Sequence, residues 1–375
     1  MKIGILTYQY AMNYGALLQA YALKSYLESL KHEVEILNYD TSYLYNQQRS
    51  LKSKIISRAW SVVRNSLGGR KKNKKFELFR NDFLKLKSPV LTSGACLKEY
   101  LKNKEFDAFI VGSDQVWNPE INGNDFTYYL EFVSDEIKIS YAASFGVSSL
   151  DEKITNQIVE LVSTFNAVSV REKTGLNILK DLRNKAEVVL DPVFLPNIET
   201  WNTLADIKKV APEKYLLCYV MPGDKVLEKK IEKLAEEYKK ITGNTVVFLG
   251  RKEYKRFKND GKDFVSADPI EFVNLFKNAD QIITNSFHGT AFSIIFNKSF
   301  YSLVNTQISG KRQLSSRVID LLEELRLNMR LIDVMETCDF SLEVEYETVN
   351  ATLKKMKEHS RIFLIDALKQ EKLED

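Results

Sequence analysis

The stretch ADQIITNSFHGTAFSIIFN, residues 279–297, decides the fold because it joins a strand pattern to a helix pattern through a polar turn. Residues 281–284 are a short, β-branched run of the kind that lies inside parallel sheets. Residues 285–289 predict the turn, and Thr290 begins an apolar helix that runs to Phe296. The stretch therefore predicts an α/β unit with a polar turn at the carboxyl end of a strand.

His288 is the candidate acid/base residue of this turn, since ligands bind outside the carboxyl ends of strands in α/β sheets. The start of a helix offers unpaired N–H groups and a favourable dipole for an anion, and Gly289 leaves room for a ligand to approach the backbone. We expect substrate contacts from Asn285, Ser286, Gly289 and Thr290. The alternative is a histidine that only caps the turn.

The same pattern of an apolar strand followed by a polar turn recurs along the chain. In the first half the predicted strands are residues 2–8, 33–39, 106–111, 138–143, 166–170 and 187–190. In the second half they are residues 215–220, 245–249, 264–266, 281–284 and 299–304. The predicted helices include residues 16–30, 225–240, 269–277, 318–327 and about 343–372. The first turn lacks G-x-G-x-x-G, so the dinucleotide fingerprint is absent.

This repetition predicts an α/β protein with two Rossmann-like domains that face a cleft, followed by a C-terminal amphipathic helix. A chain of 375 residues suits about two domains. The predicted boundaries are 1–195 for the first domain, 196–212 for a linker, 213–335 for the second domain and 336–375 for the final helix.

Polar residues at the carboxyl ends of the first-half strands are candidates for the site. Asn13 and Gly15 follow the first strand and are expected to line a pocket, or simply to form a tight turn. Ser113 and Asp114 follow residues 106–111, and Asp114 is either a general base, a ligand of a sugar hydroxyl or a helix cap. Trp117 is either a stacking face for a sugar or a core anchor.

Arg171 directly follows the strand AVSV and is the candidate for gripping a carboxylate or phosphate, because its guanidinium pairs with either in a bidentate way. The alternative is a salt bridge to a local carboxylate such as Glu172 or Asp191. In the second half, Lys311, Arg312 and Arg317 lie in a basic loop at residues 307–317 that either adds positive charge near His288 or is merely solvated.

Composition excludes several classes of protein. The net charge of +4 is too small to indicate nucleic acid, and none is expected as a partner. The three cysteines are far apart and suggest neither a disulfide framework nor a metal site, so we expect no metal and a reducing compartment. Neither a signal peptide nor a membrane-spanning run is evident, which predicts a cytoplasmic location.

Residues 49–75 differ from the rest, with ten Lys or Arg and no Asp or Glu. The first part also has an apolar face, so this insert is either a peripheral contact with the inner face of the membrane or a solvated helix and loop.

Six blocks together resemble the polysaccharide pyruvyl transferase family. They are NYGALLQAYAL at 13–23, FDAFIVGSDQVWNP at 106–119, ISYAASFG at 139–146, SVRE at 169–172, LDPVFL at 190–195 and TNSFHG at 284–289. Residues 49–75 and the C-terminal helix lie outside the blocks.

The resemblance implies a GT-B-like fold and transfer of pyruvate from phosphoenolpyruvate to two hydroxyls of one sugar, forming a cyclic ketal in a capsule or exopolysaccharide. It implies that Arg171 binds the donor, that His288 is catalytic or contacts phosphate, and that Asp114 and Asn13 line the cleft. No cofactor is implied. A lipid-linked acceptor would give the basic insert a membrane role.

Two other functions remain open at this level. In a glycosyltransferase that uses a sugar nucleotide, the basic side chains would bind the diphosphate. No feature of the sequence predicts recognition of a base or ribose. A glycan-binding protein without catalysis is disfavoured because both Arg171 and His288 are present.

Overall fold

A computed structural model describes residues 1–40, 67–182, 186–249, 267–305 and 311–370. The chain forms two compact units, Met1–Pro196 with Lys355–Asp375 and Asn197–Lys354. The strand predicted at 264–266 and most of the basic insert, residues 49–66, lie outside the described residues.

The N-terminal unit contains a sheet of six parallel strands in the order β2-β1-β3-β4-β5-β6. The strands are β1 Lys2–Leu6, β2 Glu33–Ile36, β3 Ala108–Val111, β4 Ile137–Ala143, β5 Ala167–Val170 and β6 Ala186–Val188. The side chains of β3 and β5 are buried along their whole length. Helices on both faces of a parallel sheet bury such strands, which explains their continuous apolar runs.

Among its described residues, this unit has six α-helices before its last strand. They are α1 Tyr14–Ser29, α2 Leu67–Phe79, α3 Gly94–Leu101, α4 Pro119–Asn122, α5 Glu152–Ser163 and α6 Lys173–Ile178. Helix α1 begins two residues earlier than the apolar pattern predicts, because Asn13 caps it and accepts the N–H groups of Gly15 and Ala16.

In the described part of the C-terminal unit, five parallel strands form a sheet in the order β11-β10-β9-β7-β8. The strands are β7 Tyr215–Tyr219, β8 Thr245–Leu249, β9 Gln281–Thr284, β10 Ser299–Val304 and β11 Leu331–Asp333. The helices are α7 Ile198–Asp206, α8 Lys225–Thr242, α9 Pro269–Asn278, α10 Phe287–Ile295, α11 Lys311–Glu324 and α12 Tyr346–Lys369. The two parallel sheets confirm the predicted α/β class with two Rossmann-like units.

Three local features differ from the expectations. The stretch 196–212, expected as a linker, contains α7, whose Trp201 and Leu204 are buried. Strand β11 has only three residues and was not predicted. Helix α10 begins at Phe287 rather than Thr290, because Ser286 caps it. In each case tertiary packing or a cap outweighs the apolar pattern.

The end of α12 is counted with the N-terminal unit. The Leu190 N–H donates to Ser360 Oγ at 2.9 Å, and the Arg361 guanidinium donates to the Leu195 carbonyl at 2.5 Å. In the described part of the chain, no helix combines the length and apolarity needed to cross a bilayer.

Gly112 directly follows β3 and has a φ of 119°, which L-residues rarely adopt. A Cβ at this position would lie 2.2 Å from the Tyr141 carbonyl oxygen. We expect Gly112→Ala to reduce the free energy of unfolding by more than about 3 kcal/mol, since it adds a backbone clash to the strain of positive φ. Urea unfolding measures this cost.

Gly223→Ala is the matched control. Gly223 has φ of 123° but nothing within 4 Å of a Cβ, so only backbone strain of about 1–3 kcal/mol applies. Equal costs for the two variants would contradict the proposed clash at Gly112.

Candidate functional site

Arg171 lies at the carboxyl end of β5 and is enclosed by carboxylates. Its Nη1 lies 2.7 Å from Asp191 Oδ2, its Nη2 lies 3.7 Å from Asp114 Oδ1, and its Nε lies 4.0 Å from Glu172 Oε2. Its side chain is 1% exposed. The structure therefore shows the local salt bridges of the alternative interpretation, and a role in gripping the donor stays a prediction.

Two of these carboxylates are anchored on the loops around them. Glu172 Oε1 accepts hydrogen bonds from Ser144 Oγ at 2.9 Å, from the Phe145 N–H at 3.0 Å and from the Gly146 N–H at 3.3 Å. Asp191 accepts from the Val193 N–H at 3.1 Å. Because each carboxylate satisfies backbone or hydroxyl donors as well as Arg171, the cluster ties the ends of β4, β5 and β6 together.

The electrostatics of the cluster follow from burial and pairing. Burial alone would lower the pKa of the Arg171 guanidinium, but the charges of Asp191, Asp114 and Glu172 outweigh it and raise that pKa. The guanidinium thus stays charged and neutralises part of the acidic cluster.

Asp114 differs from the other two carboxylates because its side chain is 15% exposed. Its backbone has φ of 66°, and its Oδ1 accepts the N–H of Gln115, the next residue. It is therefore not the cap of a helix, as one interpretation had it. A carboxylate that is held near a cation and still reaches solvent can accept a proton from a bound hydroxyl.

Ser113 lies inside this network. Its hydroxyl lies 3.0 Å from the Ala142 carbonyl and 3.0 Å from Asp191 Oδ2, and its N–H donates to Gln19 Oε1 at 3.1 Å. Ser113 is fully buried. It supports Asp191 and the loop after β3, and its predicted contact with substrate stays a prediction.

Tyr8 is a residue of this edge that the sequence analysis missed. It follows β1, and its hydroxyl is buried with no hydrogen-bond partner among the described residues. Burial, with the neighbouring groups Tyr128 and Asp114, raises the pKa of the phenol well above its usual value. The phenol therefore remains an O–H donor. Its position as the last residue of the strand predicted at 2–8 was the available signal.

Asn13 and Gly15 form a tight turn, which was one of the two roles predicted for them. Asn13 Oδ1 accepts the Gly15 N–H at 2.8 Å, and the pair forms the first turn of α1. Trp117 is the core anchor, fully buried, with its indole N–H donating to the Tyr128 carbonyl. It cannot stack on a sugar.

In the C-terminal unit the loop after β9 is pinned by hydrogen bonds between neutral groups. Asn285 accepts the Met221 N–H at 2.7 Å and donates to the Met221 carbonyl at 3.0 Å. Thr284 Oγ1 donates to the Tyr219 carbonyl and accepts the Ser286 N–H. The loops after β7 and β9 are thus locked to each other.

His288 is in the first turn of α10 and is largely buried, at 7% exposure. The ring of Phe287 lies edge-on to its ring at 5.3 Å between centroids. Because the helix starts at Phe287, His288 belongs to the helix rather than to a preceding turn, and its backbone is fixed by Ser286, which caps the helix.

Two expectations about this turn are wrong. The N–H groups after Gly289 are not open to an anion, because those of Gly289 and Thr290 donate to the side chain and carbonyl of Ser286. The missing side chain of Gly289 does not leave room for a ligand either, since a Cβ would lie 2.3 Å from Thr284 Oγ1. The space serves the packing of α10 on β9.

The other predicted site residues are Thr290 and the three basic residues Lys311, Arg312 and Arg317. Thr290 is buried, and its hydroxyl bonds with Ser302 at 2.7 Å. Arg317 is half-buried within α11, which begins at Lys311, so this stretch is partly helical rather than a loop. The side chains of Lys311 and Arg312 lie outside the described residues. Within the described ranges, no group of three His, Cys, Asp or Glu side chains could hold a metal ion.

Comparison with solved structures supports the fold class. UDP-GlcNAc 2-epimerase from Methanocaldococcus jannaschii, in complex with UDP-GlcNAc and UDP, has a TM-score of 0.50 at 14% identity, covering 97% of this chain and 99% of that chain. The enzyme of the same name from Neisseria meningitidis, bound to UDP-GlcNAc, has a TM-score of 0.45 at 10% identity, covering 98% and 94%. A spinosyn rhamnosyltransferase complexed with thymidine diphosphate has a TM-score of 0.40 at 11% identity, covering 98% and 96%. At these identities the likeness concerns the fold alone.

With its two parallel α/β units, the protein has a GT-B-like fold. Residues 13–307 match the family model described as polysaccharide pyruvyl transferase. This match spans most of the 375 residues, so the chain belongs to the polysaccharide pyruvyl transferase family. The resemblance of the six sequence blocks is thereby confirmed. A search of the curated proteins found no match.

The buried pair of Arg171 and Asp191 generates a stability prediction. Asp191→Asn keeps the shape but removes the charge closest to Arg171, and we expect it to reduce the free energy of unfolding by about 3 kcal/mol. The measurement is urea unfolding.

Glu187→Gln is the control, because Glu187 forms an exposed ion pair with His359 in the same unit. It should cost less than about 1 kcal/mol. If Asp191→Asn costs no more than Glu187→Gln, the buried network does not stabilise this unit.

Proposed function

We propose that the protein transfers pyruvate from phosphoenolpyruvate to two hydroxyls of one sugar in a glycan, forming a cyclic ketal. The observation that carries this proposal is the family match across residues 13–307. The chemistry of the candidate residues is compatible with it, because the reaction needs an acid, a base and positive charge.

The reaction requires two proton movements before phosphate leaves. A proton is added to the methylene carbon of phosphoenolpyruvate, and a sugar hydroxyl loses its proton as its oxygen bonds to the adjacent carbon. A second sugar hydroxyl then displaces phosphate from that carbon and closes the ring, and its proton departs with the phosphate or to a base. Each movement needs a group within hydrogen-bond reach.

His288 is proposed as the acid for the methylene carbon or as the partner of the phosphate. Its backbone is held in the first turn of a capped helix, and its side chain is largely buried. Such fixed placement is what makes a proton donor effective, since little reorganisation is needed during the reaction.

Asp114 is proposed as the base for the attacking hydroxyl. Among the carboxylates around Arg171 it is the one whose side chain is partly accessible to solvent. Arg171 then acts as a positioning residue that holds Asp114. Tyr8, whose phenol has its pKa raised by burial, supplies a neutral O–H donor at the same sheet edge. A donor carboxylate at Arg171 Nη2 would have to compete with Asp114.

Ligand-dependent melting tests the donor. Since a ligand of the folded state raises the melting temperature with dose, we expect phosphoenolpyruvate to do so. 2-Phospholactate is the matched control, because it has the carboxylate and phosphate but no methylene carbon to protonate. It should stabilise the protein without releasing phosphate. Stabilisation by sugar nucleotides alone would instead favour a glycosyltransferase.

His288→Ala should lower the rate of phosphate release from phosphoenolpyruvate in the presence of acceptor by about 10²–10⁴ if His288 acts as the acid. His359→Ala is the control because His359 is exposed on α12, and it should retain the wild-type rate. Melting curves establish that both variants fold. A His288→Ala variant with near-normal turnover would remove His288 from this role.

A further inference from the structure

Two basic side chains of the N-terminal unit lie on aromatic rings beside the loop between β1 and α1. Lys72 Nζ is 5.0 Å from the centre of the Tyr14 ring and 5.2 Å from that of Phe76. The Arg80 guanidinium is 5.4 Å from the centre of the Tyr10 ring. This basic cluster, defined as Lys72 and Arg80 with Tyr10 and Tyr14, lies at the carboxyl edge of β1, the edge that also carries Asp114 and Arg171.

The two cations have unused donors. Among the described residues, no carboxylate lies within 4.0 Å of Lys72 Nζ or the Arg80 guanidinium, and Arg80 Nη1 is buried without a hydrogen-bond partner. Glu77 and Asp40 act on Arg80 only from a greater distance. Burial lowers the pKa of both side chains. A desolvated cation with spare donors binds an anion strongly, because water competes less.

The chain that precedes α2 cannot supply the missing negative charge. Residues 41–66 contain no Asp or Glu and five Lys or Arg. By composition this segment offers no carboxylate to pair with Lys72 or Arg80. The natural complement is therefore an anionic group from outside the chain.

We propose that Lys72 and Arg80 bind the phosphate or diphosphate group of a glycan acceptor. This rests on the proposed function, in which the acceptor is a glycan. Uncharged sugar hydroxyls do not require such cations, whereas a phosphate that links a glycan to a carrier does. A guanidinium stacked on a tyrosine presents its N–H groups edge-on to phosphate oxygens, and an ammonium group adds a point charge. The network of Arg171 is separate, since its cation already lies among the carboxylates of Asp191, Asp114 and Glu172.

Titration calorimetry with inorganic pyrophosphate tests the site. Lys72→Gln and Arg80→Gln should each weaken binding about tenfold or more, as expected for the loss of a charge-assisted hydrogen bond. Lys74→Gln is the matched control, because Lys74 lies on the same helix, carries the same charge and is exposed. It should bind nearly as the wild type does. Equal effects in all three variants would overturn the site, because bulk charge alone would then explain binding.

A conservative variant separates binding from folding. Lys72→Arg keeps a cation over Tyr14 and should retain most of the affinity for pyrophosphate. If Lys72→Arg loses as much affinity as Lys72→Gln, while both melt as the wild type does, the cation does not bind the anion.

A second titration distinguishes the acceptor from the donor. Phosphoenolpyruvate should bind Lys72→Gln nearly as it binds the wild type, and it should not displace pyrophosphate. If phosphoenolpyruvate displaces pyrophosphate, and if Lys72→Gln loses affinity for both ligands equally, the site binds the donor phosphate. That result would overturn the acceptor assignment. Phosphoenolpyruvate could bind neither the wild type nor the variants, while pyrophosphate still binds Lys72→Gln more weakly than Lys74→Gln. That result would reject phosphoenolpyruvate as the donor and would support the phosphate site.

Discussion

The N-terminal unit depends on one buried cation. Arg171 is almost fully enclosed, and a charge removed from water must be paired or it destabilises the fold by several kcal/mol. Three carboxylates provide the pairing, and each also accepts a hydrogen bond from a backbone N–H. The ends of β3, β4, β5 and β6 are therefore fixed relative to one another. Asp114 is the one carboxylate that this arrangement leaves open to solvent, which makes it the reactive candidate.

The C-terminal unit fixes its strand ends in another way. The loops after β7 and β9 are joined by amide and hydroxyl groups of Asn285 and Thr284 rather than by ions. A helix cap at Ser286 then sets where His288 lies. One sheet edge thus carries a network of charged groups, and the other carries a network of neutral groups. Because these anchors are neutral, His288 is the ionisable residue of its turn. The turn is held in place without a buried charge.

The basic insert shows what composition can predict about a binding site and what it cannot. Composition alone reveals ten basic residues without an acidic one between residues 49 and 75, and such a segment suggests an anionic partner in general terms. Only the structure separates Lys72, which is half-buried over Tyr14, from the exposed Lys74 on the same helix. That difference in desolvation turns a general attraction into a defined position for a phosphate.

The sequence by itself determined the α/β class, the family, and the strands Thr245–Leu249, Gln281–Thr284 and Ser299–Val304, because apolar runs bounded by polar turns are local signals. It also placed Asp114 and Arg171 at strand ends. Tertiary structure alone decided that Arg171 pairs with Asp191, twenty residues away, that Tyr8 joins this edge, and that the space beside Gly289 is filled by Thr284. These facts concern which distant groups meet and how much water remains between them. A local pattern cannot specify that, because burial and pairing of charges arise only when separate strands are packed side by side.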